Sequence, residues 1–249
     1  MEPFVLTYTL DAMHVDCFGR AKPSSLLYFC QEAAGGHCRI LGLDWDTLAK
    51  KDLFWALIRT RVEITQLPVL GQTVTVKTWP MPTTRSAFPR ATVCYDEAGH
   101  ELFRCTALWV LMNTKTRTMV LPGKSGVELE GLTLGCEAAA PGSIAPAQLE
   151  HTARRTVCFT DLDRNAHMNN TKYMDWLWDL LSSDFHGKHP VKSFTACYLS
   201  EAKQSQELTL HYGKTQEGIL RLEATRSRQE DTEKQERVFA ASVEFSGVL

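Results

Sequence analysis

Apolar and polar positions fall into two successive runs of the same kind. In the first, Phe4–Thr9 mixes apolar residues with threonine and suits a strand. Pro23-Ser24-Ser25 opens a helix, with proline placed for a first turn and serine for a cap. Leu26, Phe29, Cys30, Ala33 and Ala34 follow at helical spacing. Gly35-Gly36 weakens the middle, so the helix is expected to kink there or run to about Leu41, with Gly42 as its stop. LFWALIRTRVEI is a strand with partial alternation. TVTVKTW alternates strictly and is a strand that Pro80-Met81-Pro82 ends or confines to an edge. Phe88–Tyr95 and Leu102–Met112 form two more strands, joined by a tight hairpin over Asp96–Gly99. A turn at Asn113-Thr114-Lys115 precedes TRTMVLP.

Glycine, alanine, serine and proline then dominate from Pro122 to about Gln148. A structureless loop of that length is unusual inside one compact domain. We read residues 123–148 as a linker between an N-terminal unit, 1–122, and a C-terminal unit, 149–249. Beyond it the pattern restarts. ARRTVCFTD reads as a strand, and Asn170 caps a helix with the apolar stripe Tyr173, Trp176, Leu177 and Leu180. SFTACYLSE, ELTLHYG, ILRLEATRS and VFAASVEFS follow as strands, and the charged stretch 230–236 reads as a solvated hairpin tip.

The two runs look like copies of one unit. A shift of 147 carries Asp16 onto Asp163, Phe29 onto Trp176 and Glu32 onto Asp179; a shift of 134 carries Gly71–Val76 onto Ser205–Leu210. The copies differ where polar chemistry is concentrated: Asn165 is matched by Phe18, His167 by Arg20 and Glu201 by Leu67. The pattern predicts one reacting site per chain, in the second half, and leaves the first half free to bind something apolar.

Composition narrows the classes. Across 249 residues, hydrophobic residues make up 44% and charged residues 22%, as in ordinary globular proteins. The net charge of −2 gives no global basic field for nucleic acid or an anionic membrane. No apolar run approaches the roughly 20 residues of a membrane span. The eight cysteines include no C-x-x-C pair, and most lie in apolar runs, as free buried thiols do. With no signal or transit pattern at the N-terminus, these features point to the cytoplasm. His186-Gly-Lys-His189 lacks the companions of a zinc site, and no phosphate loop or Gly-x-Ser-x-Gly context occurs, so no metal or cofactor is expected.

Taken singly, Asp-x-Asn ahead of a helix is a turn and capping cluster, and a lone histidine is a surface or satisfied group. The longer segment Asp163-Arg164-Asn165-Ala166-His167-Met168-Asn169-Asn170-Thr171-Lys172-Tyr173, with Tyr198–Ala202 (YLSEA) downstream, resembles the acyl-acyl carrier protein (acyl-ACP) thioesterase family. VTVKTW, the Gly99 hairpin, ALWVLMN and TRTMVLP fit as well, so the likeness covers nearly the whole chain. It is closest in kind to the bacterial branch, without a plastid-type leader, and is similar to the plant enzymes. The resemblance implies an α+β double hot-dog, two tandem units each with a long helix wrapped by an antiparallel sheet. It also implies hydrolysis of fatty acyl thioesters. Ala202 departs from the family members that carry cysteine after the glutamate.

Thioester hydrolysis needs an activated water or a protein nucleophile, donors for the oxyanion and a proton for the leaving thiol. Histidine, with a reference pKa of about 6.5, trades protons near neutrality. Asp163, Asn165 and His167 at alternate positions share one face if the segment is extended. Combined with the resemblance, this assigns Glu201 as general base or nucleophile, His167 as its proton partner and Asn165 as an orienting amide. Asp163 holds either neighbour in place or shares the base role. The resemblance also implies an acyl cavity in the first half, for which Leu26, Leu27, Phe29, Cys30 and Trp55 are candidates. The implied acidic carrier protein would dock on Arg20, Lys22, Arg154, Arg155, Arg164 and Lys172. Core packing and ordinary solvated charge explain these same residues equally well. Acyl-CoA hydrolysis on the same fold, a silent acyl-binding protein and a hot-dog dehydratase are the competing readings, and a homodimer is compatible with all of them.

Overall fold

The structure, a computed structural model, describes residues 2–215, 218–227 and 235–246. It divides into two compact units, Met1–Pro141 and Gly142–Leu249, a division that falls inside the 123–148 stretch. The hairpin tip expected at 230–236 lies, up to residue 234, outside the described residues.

In the first unit the elements are β1 (Phe4–Thr9), α1 (Pro23–Ile40), α2 (Trp45–Ala49), β2 (Leu53–Ile64), β3 (Thr73–Pro80), β4 (Phe88–Tyr95), β5 (Glu101–Asn113), β6 (Met119–Val120) and α3 (Pro122–Ser125). Its strands are antiparallel in the order β1-β3-β4-β5-β2, with β6 on β5. β3 is thus interior to the sheet and simply ends at Pro80. Helix α1 starts one residue before the expected serines: Lys22 is the cap and Pro23 the first helical residue. Ser25 instead donates its hydroxyl to His14 O at 2.8 Å, fastening the incoming loop. The Gly35-Gly36 pair does not break α1. Gly36 is there because the Phe4 ring occupies the space of a side chain; a Cβ would stand 2.7 Å from Phe4 Cζ. The short α2, which periodicity over so few residues cannot reveal, is capped by Asp44 accepting from Thr47 N at 2.9 Å. Its Leu48 joins Leu53, Phe88, Leu111 and Val127 in a core cluster.

β4 is buried along nearly its whole length. The stretch read as linker supplies part of that cover. Leu132 and Cys136 pack against Trp79, Ala91 and Val93. Leu132 N donates to Pro80 O at 2.9 Å, and Thr106 donates its hydroxyl to Ala138 O at 2.7 Å. Gly131 lies so close to the Met81-Pro82 backbone that no Cβ fits. Residues 127–139 are therefore a strap on the first unit, not a free tether. Small residues let that strap lie flat, so its composition imitates a linker.

The second unit contains β7 (His151–Thr156), a 3-10 turn at Phe159–Asp161, α4 (Asn170–Trp178), α5 (Ser183–Lys188), β8 (Val191–Tyr198), β9 (Glu207–Lys214), β10 (Leu220–Ser227) and β11 (Gln235–Phe245). Its order, β7-β9-β10-β11-β8, reproduces that of the first unit strand for strand. Asn169, not Asn170, caps α4, accepting from Thr171 N at 2.9 Å. The helix whose stripe was expected to run to Leu180 stops at Trp178, and Ser182 caps a new one by accepting from Phe185 N at 3.2 Å. The second unit thus keeps the hot-dog plan with one long helix replaced by two short ones. Tyr173 and Met174, Trp176 and Leu177 of α4 are buried, and the Tyr173 ring stacks on Phe239 at 4.6 Å.

Candidate active site

The loop from Leu162 to Met168 is a tight turn closed by an antiparallel bridge between those two residues. It is not the extended segment that alternate spacing suggested. Asp163 N donates to His167 O at 2.8 Å and Ala166 N to Asp163 O at 3.0 Å. The Asp163 carboxylate turns inward and accepts from Asn165 N at 2.7 Å and His167 N at 3.3 Å, with Asn165 Nδ2 3.4 Å away. Ala166 takes a left-handed conformation, φ 59°, which costs a non-glycine residue about 1 kcal/mol or more.

The first unit carries the same turn without the chemistry. Asp16 accepts from Phe18 N at 2.9 Å and Arg20 N at 3.0 Å, Asp16 N donates to Arg20 O at 2.8 Å, and Gly19, at φ 72°, stands in the place of Ala166. The partner loops correspond too. Ala21 N donates to Pro68 O at 2.7 Å, as Met168 N does to Ala202 O at 2.8 Å. Gln72 accepts from Val69 N at 3.1 Å, as Gln206 does from Lys203 N at 2.9 Å. Both sequence shifts, 147 and 134, are thereby matched bond for bond. Asp163 belongs to the shared scaffold; Asn165, His167 and Glu201 are what the second half adds.

The fold brings His167 and Glu201 together, with Nε2 3.3 Å from Oε2. The imidazole is mostly enclosed, its side chain 14% exposed, while the carboxylate is 39% exposed and open to solvent. Asn165 lies two residues away on the same turn. The Glu201 backbone is fixed by Arg226, whose Nη1 donates to Glu201 O at 2.6 Å and Gln206 Oε1 at 2.8 Å while Nη2 donates to Ser200 Oγ at 2.8 Å. Glu236 neutralises that guanidinium at 3.0 Å. Nothing in the sequence pattern singles out Arg226, because it ends a strand far from the motif. Tyr173 is the second residue that the pattern misplaces, as a core residue only. Burial pushes its phenol well above the ordinary range, and the Asp163 and Glu201 carboxylates push it further while Arg226 opposes them. The phenol is therefore a neutral group within electrostatic reach of the site.

Of the expected acyl-chain residues, Leu27 and Cys30 line a cavity in the first unit. Leu26 and Phe29 are fully buried and not among its lining residues. Trp55 packs on the Leu48–Phe88 cluster and donates Nε1 to Leu43 O at 3.0 Å. The other lining residues include the polar Gln31, Thr60, Arg90, Thr92 and Trp109 beside the apolar Ala34, Leu57 and Ala107, a more polar set than expected. The expected docking cations have local partners. Arg20 pairs with Asp16 at 3.2 Å, Arg154 with Glu207 at 3.6 Å, Arg155 with Asp179 at 2.8 Å and Lys172 with Asp175 at 3.4 Å. Lys22 caps α1, and Arg164 is exposed on the Asp163 turn.

A helix-on-sheet unit built twice, with an Asn, His and Glu set on the second copy, is a double hot-dog architecture with one candidate site. The family follows from comparison: the acyl-ACP thioesterase N-terminal domain matches residues 2–121 and the acyl-ACP thioesterase C-terminal domain residues 145–242, and the chain belongs to the acyl-ACP thioesterase family. It is 29% identical over 209 residues to the chloroplastic dodecanoyl-[acyl-carrier-protein] hydrolase of Umbellularia californica, covering 76% of this chain and 55% of that one. It is 27% identical over 220 residues to the chloroplastic palmitoyl-acyl carrier protein thioesterase of Gossypium hirsutum, covering 82% and 53%. The chain spans about half the length of the curated relatives it matches. Among solved structures, an acyl-ACP thioesterase from Bacteroides thetaiotaomicron shares the fold at a TM-score of 0.86 and 23% identity over 97% of each chain. The 12:0-ACP thioesterase of Umbellularia californica does so at 0.79 and 24%, over 98% of this chain and 96% of that one.

Proposed function

We propose that this chain hydrolyses fatty acyl thioesters held on acyl carrier protein, releasing the free fatty acid and the carrier thiol and so ending chain elongation. The observation that carries the reading is the His167–Glu201 pair at 3.3 Å on the one half that has departed from the shared scaffold. In this reading Glu201, the more exposed partner, takes a proton from water as the water oxygen attacks the thioester carbonyl. The carbon–sulfur bond then breaks, and the proton held by Glu201 passes across the pair through His167 to the leaving thiolate, which leaves Glu201 ionised again. Asn165 orients the water or the carbonyl, and Asp163 holds the turn on which both residues sit. The first unit takes the acyl chain, because burying each methylene contributes about 0.8 kcal/mol. All eight cysteines are free thiols, which suits the reducing cytoplasm as the place of reaction.

Competing the same acyl group on carrier protein and on coenzyme A in one reaction tests the substrate. The proposal expects the carrier thioester to be consumed first, with KM rising as salt is added if docking is electrostatic. Preferential consumption of the coenzyme A thioester contradicts it.

A further inference from the structure

We propose that Arg226 is a positioning residue for the reaction: it holds the loop that carries Glu201 so that the carboxylate stays on His167. This rests on the thioesterase reading and adds a residue to its machinery. Glu201 sits between β8 and β9, outside both strands. Its pairing with His167 at 3.3 Å leaves the carboxylate 39% exposed, and an ion pair that open to water is too weak to hold two side chains in register by itself. The backbone must therefore aim it. The ends of the loop are tied by Leu199 N and Ser200 N, which donate to Val238 O at 2.8 and 3.1 Å, and by Ser205 N, which donates to Val157 O at 2.9 Å. Between those ties, Arg226 reaches in from the end of β10. Its Nη1 donates to Glu201 O and Gln206 Oε1, its Nη2 to Ser200 Oγ and its Nε to Glu236 Oε2. One planar group thus fastens the residue before Glu201, Glu201 itself and the end of the loop, which the fixed fork of a guanidinium allows and a point-like ammonium does not.

The first unit separates this brace from the scaffold. Its corresponding loop is tied at both ends in the same way: Thr65 N and Gln66 N donate to Leu102 O at 2.9 and 3.0 Å, and Gly71 N donates to Leu10 O at 2.9 Å. Gln72 also closes that loop as Gln206 closes its own. The strand pairings Thr75–Tyr95 and Thr209–Thr225 put Asp96 in the place of Arg226. An ionised carboxylate is an acceptor only and cannot bond a carbonyl. Asp96 instead accepts from His100 N at 2.8 Å and closes its own hairpin. The unit with Leu67 in place of Glu201 therefore has an acid in place of the arginine, so the carboxylate and the group that aims it arise together in the second unit. The loop closes in the first unit without an arginine at this place. What Arg226 adds is the placement of Glu201.

The test measures kcat and KM on one carrier-protein thioester for Arg226→Met, alone and combined with Glu201→Gln. Arg226→Met alone should lower kcat by about tenfold or more and leave KM nearly unchanged, as a small misplacement of a reacting group does. In the Glu201→Gln background the same substitution should cost almost nothing further, because no carboxylate is left to aim. Gln206→Ala removes one of the arginine's acceptors and covers the case in which Arg226→Met fails to fold. It should lower kcat, whereas Gln72→Ala, which opens the matching loop of the first unit, should not. A fall confined to KM, an equal loss with and without the Glu201 carboxylate, or equal effects of Gln206→Ala and Gln72→Ala overturns the proposal. Nitrogen NMR of the His167 imidazole reads the same placement without turnover: its signals should move in Arg226→Met and Gln206→Ala in the direction they move in Glu201→Gln. If no thioester is hydrolysed while those signals move together, the thioesterase reading fails and the positioning role stands. Signals that stay at their parent values in both variants overturn it.

Discussion

At the residue scale, Asp163 and Glu201 are both carboxylates of the motif region but do different work. Asp163 spends its oxygens on backbone N–H groups of its own turn, as Asp16 does in the other unit. Asp163→Ala and Asp16→Ala should therefore each cost about 2 kcal/mol or more of stability, since each removes bonds to a charged acceptor. Urea denaturation of the two variants reads this directly; a Glu201→Gln variant in the same series should unfold within about 0.5 kcal/mol of the parent. If only Asp163→Ala were destabilised, the equivalence of the two turns would be wrong. His37 gives a second prediction. It is 4% exposed, and its folded pKa of about 4 lies below the unfolded value of about 6.5. Below pH 6.5 the unfolded chain binds a proton that the folded chain refuses, so this contribution is complete above pH 6.5 and is lost on descending toward pH 4. His37→Asn should flatten the fall in Tm over that window, and an unaltered slope counts against the assignment.

At the element scale, helix α1 shows what packing does to local preference. Gly35 faces open space and Gly36 faces the Phe4 ring. Gly35→Ala should stabilise the protein by about 0.5–1 kcal/mol through helix propensity, and Gly36→Ala should destabilise it by about 1–3 kcal/mol through overpacking. Chemical denaturation of the pair separates the effects, and equal changes would mean that Phe4 yields freely. The strands of both units were legible because alternation and turn residues are local signals, as in TVTVKTW and the Asp96–Gly99 hairpin. Helix α2 was not, since five residues carry no period. Nor was the break after Trp178, where capping by Ser182 overrides an apolar stripe that continues to Leu180. The site was legible in part. Asn165, His167 and Glu201 stood out because their counterparts Phe18, Arg20 and Leu67 lack the chemistry. Arg226 did not, because its role is to hold a backbone carbonyl that only the folded chain brings near.

At the scale of the whole molecule, duplication separates scaffold from chemistry. Strand order, both turns and their cross-links recur in the two units, so the features that differ mark function more clearly than any single motif does. The strap at 127–139 shows the limit of composition as a guide, because a Gly- and Ala-rich stretch can be a fitted part of a unit as readily as a tether. Among the described residues no helix is long and apolar enough to cross a membrane. The proposed reaction is hydrolysis of an acyl thioester of the carrier protein by the second unit's His167 and Glu201. Mass spectrometry of free fatty acid released from carrier thioesters of graded chain length, by the parent protein and by His167→Ala and Glu201→Gln, tests it most directly. The parent should release stoichiometric free acid, and each variant should do so at a rate lower by about 10²–10⁴-fold. No free acid from any carrier thioester, or full turnover in both variants, would contradict it.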